Sequence, residues 1–71
     1  MAAGKLNPEH LRREMMLRGW NGIDLAYRSG VSPATVSHAV QGLPVSTSTI
    51  RKLALALSKD PRIPGAEELL A

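Results

Sequence analysis

The sequence predicts an all-α fold of five short helices, and three observations carry that reading. Four stretches share one helix-start device: a capping residue, an apolar residue just before it, and another apolar residue four places after it. Behind each start, apolar residues recur at helical spacing. Nowhere do apolar and polar residues alternate as they would in a strand, so no strand is expected. Seventy-one residues are expected to form a single domain, spanning 1–71. That length lies near the lower limit at which a core alone stabilises a fold.

The first helix is expected from about Pro8 to Arg18. Leu6-Asn7-Pro8 leads to Leu11, and Gly19 stops the helix. Pro8 takes the first helical position, where a missing N–H costs nothing. Leu11 and Met15 share a face with Pro8, while Arg12, Arg13 and Met16 lie away from it. That apolar face is too narrow for a membrane-surface helix. The second helix covers about Gly22 to Ser29. Trp20-Asn21 leads to Leu25, Asn21 and Asp24 can form a capping box, and Leu25 and Ala26 point inward.

Gly30-Val31-Ser32 separates it from a third helix, about Pro33 to Gln41, which buries Val36, Ala39 and Val40 and ends at Gly42. The fourth helix, about Thr47 to Ser58, follows Val45-Ser46 and carries Ile50, Leu53, Ala54 and Leu57 on one stripe. From Lys59 to Gly65 two prolines forbid a continuous helix. A short fifth helix, about 65–70, then has Glu67 and Glu68 in its first turn, as the helix dipole prefers.

Composition narrows the function. There is no cysteine, and His10 and His38 alone cannot build a zinc site. No apolar run approaches a membrane span, and the N-terminus lacks a signal peptide's apolar region. A cytoplasmic protein without cofactor or metal is expected. No nucleophile is paired with a base and an orienting acid, so catalysis is not expected. The net charge of +3 is unevenly placed. Residues 1–59 carry eight Lys and Arg against three acids, and residues 60–71 carry one Arg against three acids. A basic body with a mildly acidic tail suits a polyanionic partner.

The stretch from Asn21 to Gln41 gives that partner a place. Two short helices joined by a three-residue turn containing Gly form the pattern of a helix-turn-helix, whose second helix can enter the DNA major groove. The outer face of the third helix is Ala34, Ser37, His38 and Gln41, small or hydrogen-bonding side chains able to approach base edges closely. A solvated helix face usually carries Glu and Lys, yet no charged residue occurs from Ser29 to Ile50. His38 is the first candidate base reader. Gln41 can pair with adenine or touch the backbone, and Pro33 and Ala34 offer apolar contact to thymine methyl groups. Phosphate contacts must come from elsewhere. Helix N-termini bind anions through free N–H groups, which nominates Asn21-Gly22 and the hydroxyl run Ser46, Thr47, Ser48 and Thr49. Plain N-capping explains that run as well, and one hydroxyl can do both. Arg28, Arg51 and Lys52 add flanking charge.

From Leu11 to Leu70 the chain resembles the Cro/repressor-type helix-turn-helix domains of phage and bacterial regulators, the lambda-repressor-like fold. The matching residues are Gly19-Trp20, Leu25-Ala26, Gly30-Val31-Ser32, Thr35-Val36-Ser37, Gly42, Leu53-Ala54, Leu57 and the closing Glu67-Glu68-Leu69-Leu70. The run from Gly30 to Val40 is also similar to a LacI-type recognition helix, although a full helix precedes it here. The resemblance implies base contacts from Pro33, Ala34 and His38. It places Ser32, Thr35, Ser37 and Gln41 where bases or phosphates are touched, and a phosphate contact at Asn21-Gly22. Many members of that family bury an Arg of the first helix against a Glu ending the third. Here those positions are Met15 and Val40, an apolar pair expected to touch.

The function expected is therefore a sequence-specific DNA-binding transcriptional regulator, a phage or bacterial Cro-like repressor acting on an operator in double-stranded DNA. It would bind as a homodimer or as a monomer, without a membrane or small-molecule ligand. Pairing would use the fifth helix, the 59–65 loop or Leu55. The rival is an antitoxin-like protein-interaction module for which DNA binding is secondary. A helical bundle with no nucleic-acid role would leave the uncharged third helix unexplained.

Overall fold

The computed structural model describes residues 3–69, and a side-chain oxygen caps the start of each of its four longer helices. The Asn7 side chain accepts the His10 N–H at 3.1 Å and starts α1 (Pro8–Leu17). Asn21 accepts the Asp24 N–H at 2.8 Å, and the Asp24 carboxylate accepts the Asn21 N–H at 2.9 Å, which closes the capping box of α2 (Gly22–Ser29). Ser32 caps α3 (Pro33–Val40) through the Thr35 N–H, and Ser46 caps α4 (Thr47–Lys59) through the Thr49 N–H. Each such cap stabilises its helix by about 1 kcal/mol. The short α5 (Ala66–Leu69) closes the described chain. The expected extension of this helix to residue 70 lies outside the described residues.

Two expectations need correction. A strand pair exists: β1 (Ala3–Gly4) and β2 (Val45–Ser46) are antiparallel, with Ala3 opposite Ser46 and Gly4 opposite Val45. Two-residue strands are too short to show a period of two, and these lie more than forty residues apart in sequence, so no local pattern announces them. Gly4 suits the close approach, since a Cβ there would sit 3.1 Å from the Ile50 side chain. The second correction concerns α4. Leu53 is buried and Ile50 and Leu57 are half-buried as expected, but Ala54 is exposed and Ala56 is buried in its place. At 100° per residue Ala54 lies about 100° from Leu53 and Ala56 about 60° on the other side. α4 as a whole packs against α2 and the strand pair.

The core joins Leu11 and Met15 of α1, Leu25 and Ala26 of α2, Val31 of the following turn, Val36 and Ala39 of α3, Val45, and Leu53 and Ala56 of α4. Leu6, Trp20, Val40, Ile50 and Leu57 pack against it. The largest of the fully buried side chains are Leu17, Leu25, Leu53 and Val36. Each is worth about 1.5–3 kcal/mol relative to an exposed position. Leu17 was not marked by periodicity, because it points away from the Leu11–Met15 face. It is buried at the end of α1, where the chain from Asp60 to Ala66 comes back. The Ile63 N–H donates to the Leu17 carbonyl at 2.8 Å, and Arg18 donates to the carbonyls of Asp60 and Leu57 at 2.8 and 2.7 Å.

Candidate nucleic-acid interface

The turn Gly30–Ser32 holds α2 and α3 together. Gly30 adopts φ 72°, a left-handed conformation that ends α2, and its N–H donates to the Ala26 carbonyl. Val31 is buried, and Ser32 then starts α3. With Val36 and Ala39 turned into the core, α3 presents Pro33, Ala34, Ser37 and His38 to solvent, followed by Gln41 at the helix end. All five are exposed, as expected. Val40 is half-buried, and it lines one cleft together with Met15.

Hydrogen bonding divides these side chains. The Gln41 amide donates to the Ser37 hydroxyl at 2.9 Å, bridging one helical turn. The Gln41 carbonyl oxygen and the Ser37 hydroxyl proton remain for an outside partner. The imidazole of His38 is exposed in the last turn of α3 and makes no hydrogen bond within the described residues. Ser32 donates to the Thr35 hydroxyl at 2.9 Å while capping the Thr35 N–H, which leaves the Thr35 proton free to donate. Ser46 repeats that arrangement with Thr49 at 3.0 Å. Ser46 is half-buried in its cap, whereas Thr47 and Ser48 are exposed.

A cleft of about 540 Å³ separates the start of α2 from the outer face of α3. Met15, Val36 and Val40 line it on the core side, and Asn21, Gly22, Pro33, Ser37 and Gln41 line it with them. Five of the expected contact residues thus share one surface. Ile23 joins them at 65% exposure, and sequence reasoning missed it. The signal was available, since an Ile two places before Leu25 must face away from the core. The start of α4 is a separate region, connected to α3 through β2. Arg51 and Lys52 lie exposed there without an ion-pair partner among the described residues.

Arg28 stands apart from this set. It pairs with the Asp60 carboxylate at 2.9 Å, and its guanidinium lies 5.0 Å from the centroid of the Trp20 ring. Arg18 approaches the same ring at 5.8 Å. The charge of Arg28 therefore already has an internal partner at the far end of α2 from Asn21. Arg12, expected to lie away from the Pro8–Leu11–Met15 face, is exposed and donates to the carbonyl of Val40 at 2.8 Å.

Acids near the end of α1 are paired as well. Glu14 accepts from Arg18 at 2.8 Å and from Arg62 at 2.7 Å, and Arg62 also pairs with Glu67. The hydrogen bond from Arg62, then that from Arg18, holds the Glu14 carboxyl below its usual range. Half of the six acids are thus neutralised by local arginines, while Lys5, Arg13, Arg51, Lys52 and Lys59 have no ion-pair partner among the described residues. No helix among the described residues is long and apolar enough to cross a membrane. No family model, curated protein or solved structure matches the chain.

Proposed function

We propose that this is a sequence-specific DNA-binding regulator acting in the cytoplasm, with α2 and α3 as a helix-turn-helix and α3 inserted in the major groove. The observation that carries the reading is the outer face of α3. Pro33, Ala34, Ser37, His38 and Gln41 are all exposed and none is Lys, Arg, Asp or Glu, whereas α1 carries Arg13 and α4 carries Arg51, Lys52 and Lys59 without an ion-pair partner among the described residues. Close approach to base edges favours small side chains and hydrogen-bonding groups, and a charged fringe supplies attraction to phosphates. His38 reads a base, donating to a guanine acceptor. Ser37 and Gln41 act as a bonded pair, and Pro33 and Ala34 pack against thymine methyl groups.

Phosphates are held by the free N–H groups at the start of α2, beside Asn21 and Gly22. Ser32, Thr35 and the start of α4, from Ser46 to Lys52, supply the remaining backbone contacts. Regulation follows from occupying a promoter site. A small footprint favours two copies on a two-fold operator, and the exposed Leu55 and Leu69 are available for pairing.

Selection of bound fragments from a random DNA library, followed by titration across a salt series, tests the reading. A recovered consensus is expected, with affinity falling by about 0.9 log unit per log unit of salt for each phosphate contacted. Equal affinity for every sequence, or no DNA binding at low salt, rejects it.

A second reading rests on a different observation. Ile23 and Tyr27, one turn apart on α2, are 65% and 88% exposed. Such a stripe suits a protein partner, as in an antitoxin-like module. Stable co-purification with a partner protein, together with weak and unselective DNA binding, would favour it.

A further inference from the structure

One stripe of α1 runs along the C-terminal end of α3. Pro8 lies where a Cβ added to Gly42 would meet its ring at 3.2 Å. Arg12, one turn on, donates from Nη1 to the Val40 carbonyl at 2.8 Å. Met15, three residues further, lines the cleft with Val36 and Val40. The first and last of these contacts are apolar and permit sliding or tilting. Only the Arg12 contact is directional.

The Val40 carbonyl is one of the last four of α3, and such carbonyls have no partner within their own helix. A guanidinium placed there satisfies it and complements the negative end of the helix dipole. The same turn presents His38, whose own carbonyl accepts the Leu43 N–H at 3.0 Å. Tilting the end of α3 therefore moves the imidazole.

We infer that Arg12 is the positioning residue of α3, holding its last turn against α1 so that His38 and the Ser37–Gln41 pair meet the base edges in one register. The inference rests on the DNA-binding reading for its consequence but not for its geometry. It predicts that Arg12 governs discrimination between sequences rather than general attraction to DNA. A phosphate-contacting arginine would do the opposite.

The experiment compares the wild-type chain with Arg12→Met and Arg12→Lys. Each is titrated on the selected site and on a scrambled duplex over a salt series, with thermal melts alongside. Arg12→Met is expected to lower the preference for the selected site about tenfold, in keeping with a lost charge-assisted hydrogen bond. Its affinity for scrambled DNA and its salt slope should stay unchanged, and Arg12→Lys, which keeps a donor, should retain most of the preference. An equal loss on both duplexes with a salt slope smaller by about one makes Arg12 a phosphate contact and overturns the inference. So does an unchanged preference. If Arg12→Met does not fold, Arg12→Ala, which likewise removes the donor, carries the same comparison with the same outcomes. If the wild type itself prefers no sequence, the functional reading fails separately. Amide shifts in ¹⁵N spectra then decide the positioning role: displacement of the His38–Leu43 amides in a folded Arg12 variant supports it, and unmoved amides overturn it.

Discussion

His38 shows at the residue scale how little of the proposed base reading is redundant. It is the one side chain on the α3 face that is polar, exposed and without a hydrogen bond to another described residue. Ser37 and Gln41 already bond each other, and Pro33 and Ala34 have no side-chain donor. Replacing His38 with Ala should cost about 1–3 kcal/mol on the preferred site and relax one base position. Binding measured across single-base variants checks this, and a uniform loss over all sequences would assign His38 to a phosphate instead. The exposure of this face was legible in the sequence because Val36 and Ala39 fix the inward direction. The Ser37–Gln41 bond was allowed by the i, i+4 spacing, yet spacing alone cannot say that two rotamers will meet. Arg28 was misleading for a related reason. Its place on α2 was readable, but its pairing with Asp60 depends on where the end of α4 arrives.

Among the elements, helix starts were the most legible features and helix neighbours the least. Caps and staples act within five or six residues, so four starts could be read directly from sequence. The ends behave similarly where a glycine takes positive φ. Gly30 and Gly42 both do so, at 72° and 80°, but their surroundings differ. A Cβ at Gly30 meets nothing within 4 Å, whereas one at Gly42 meets Pro8 at 3.2 Å. Gly30→Ala should therefore cost about 1–2 kcal/mol from left-handed strain alone. Gly42→Ala should cost more, because it also presses α1 away from the end of α3. Urea unfolding of the two variants checks the order, and equal costs would show that the Pro8 ring yields freely. The β1–β2 pair and the shift of the α4 stripe towards Ala56 lie beyond such local reading. Each depends on a partner distant in sequence.

At the scale of the whole molecule, Glu14 links the two ends of the helical body. Its carboxylate accepts from Arg18, which also holds the carbonyls of Leu57 and Asp60, and from Arg62 in the returning chain. These bonds lower the Glu14 pKa below its ordinary 4.5 in the folded state. The unfolded chain therefore binds the proton more readily, and the stabilisation is fully present above that value. It is lost as pH falls through the folded value. Thermal melts should accordingly show a fall in Tm on acidification below about pH 4.5. Glu14→Gln should be less stable than wild type at neutral pH and converge with it in acid. Parallel curves for the two proteins at every pH would show that Glu14 does not couple these segments.

The sequence by itself determined the helical class, the four helix starts, the stop at Gly30 and the outward face of α3. These follow from interactions among residues a few places apart, which a linear pattern records. Tertiary structure alone decided that Ala3–Gly4 pairs with Val45–Ser46 and that Leu17 is buried beneath the returning chain. It also decided which arginines are already engaged. An arginine side chain spans several ångströms and can face any of several partners. Arg12 is exposed, and only the packing of α1 across α3 brings its guanidinium to the Val40 carbonyl.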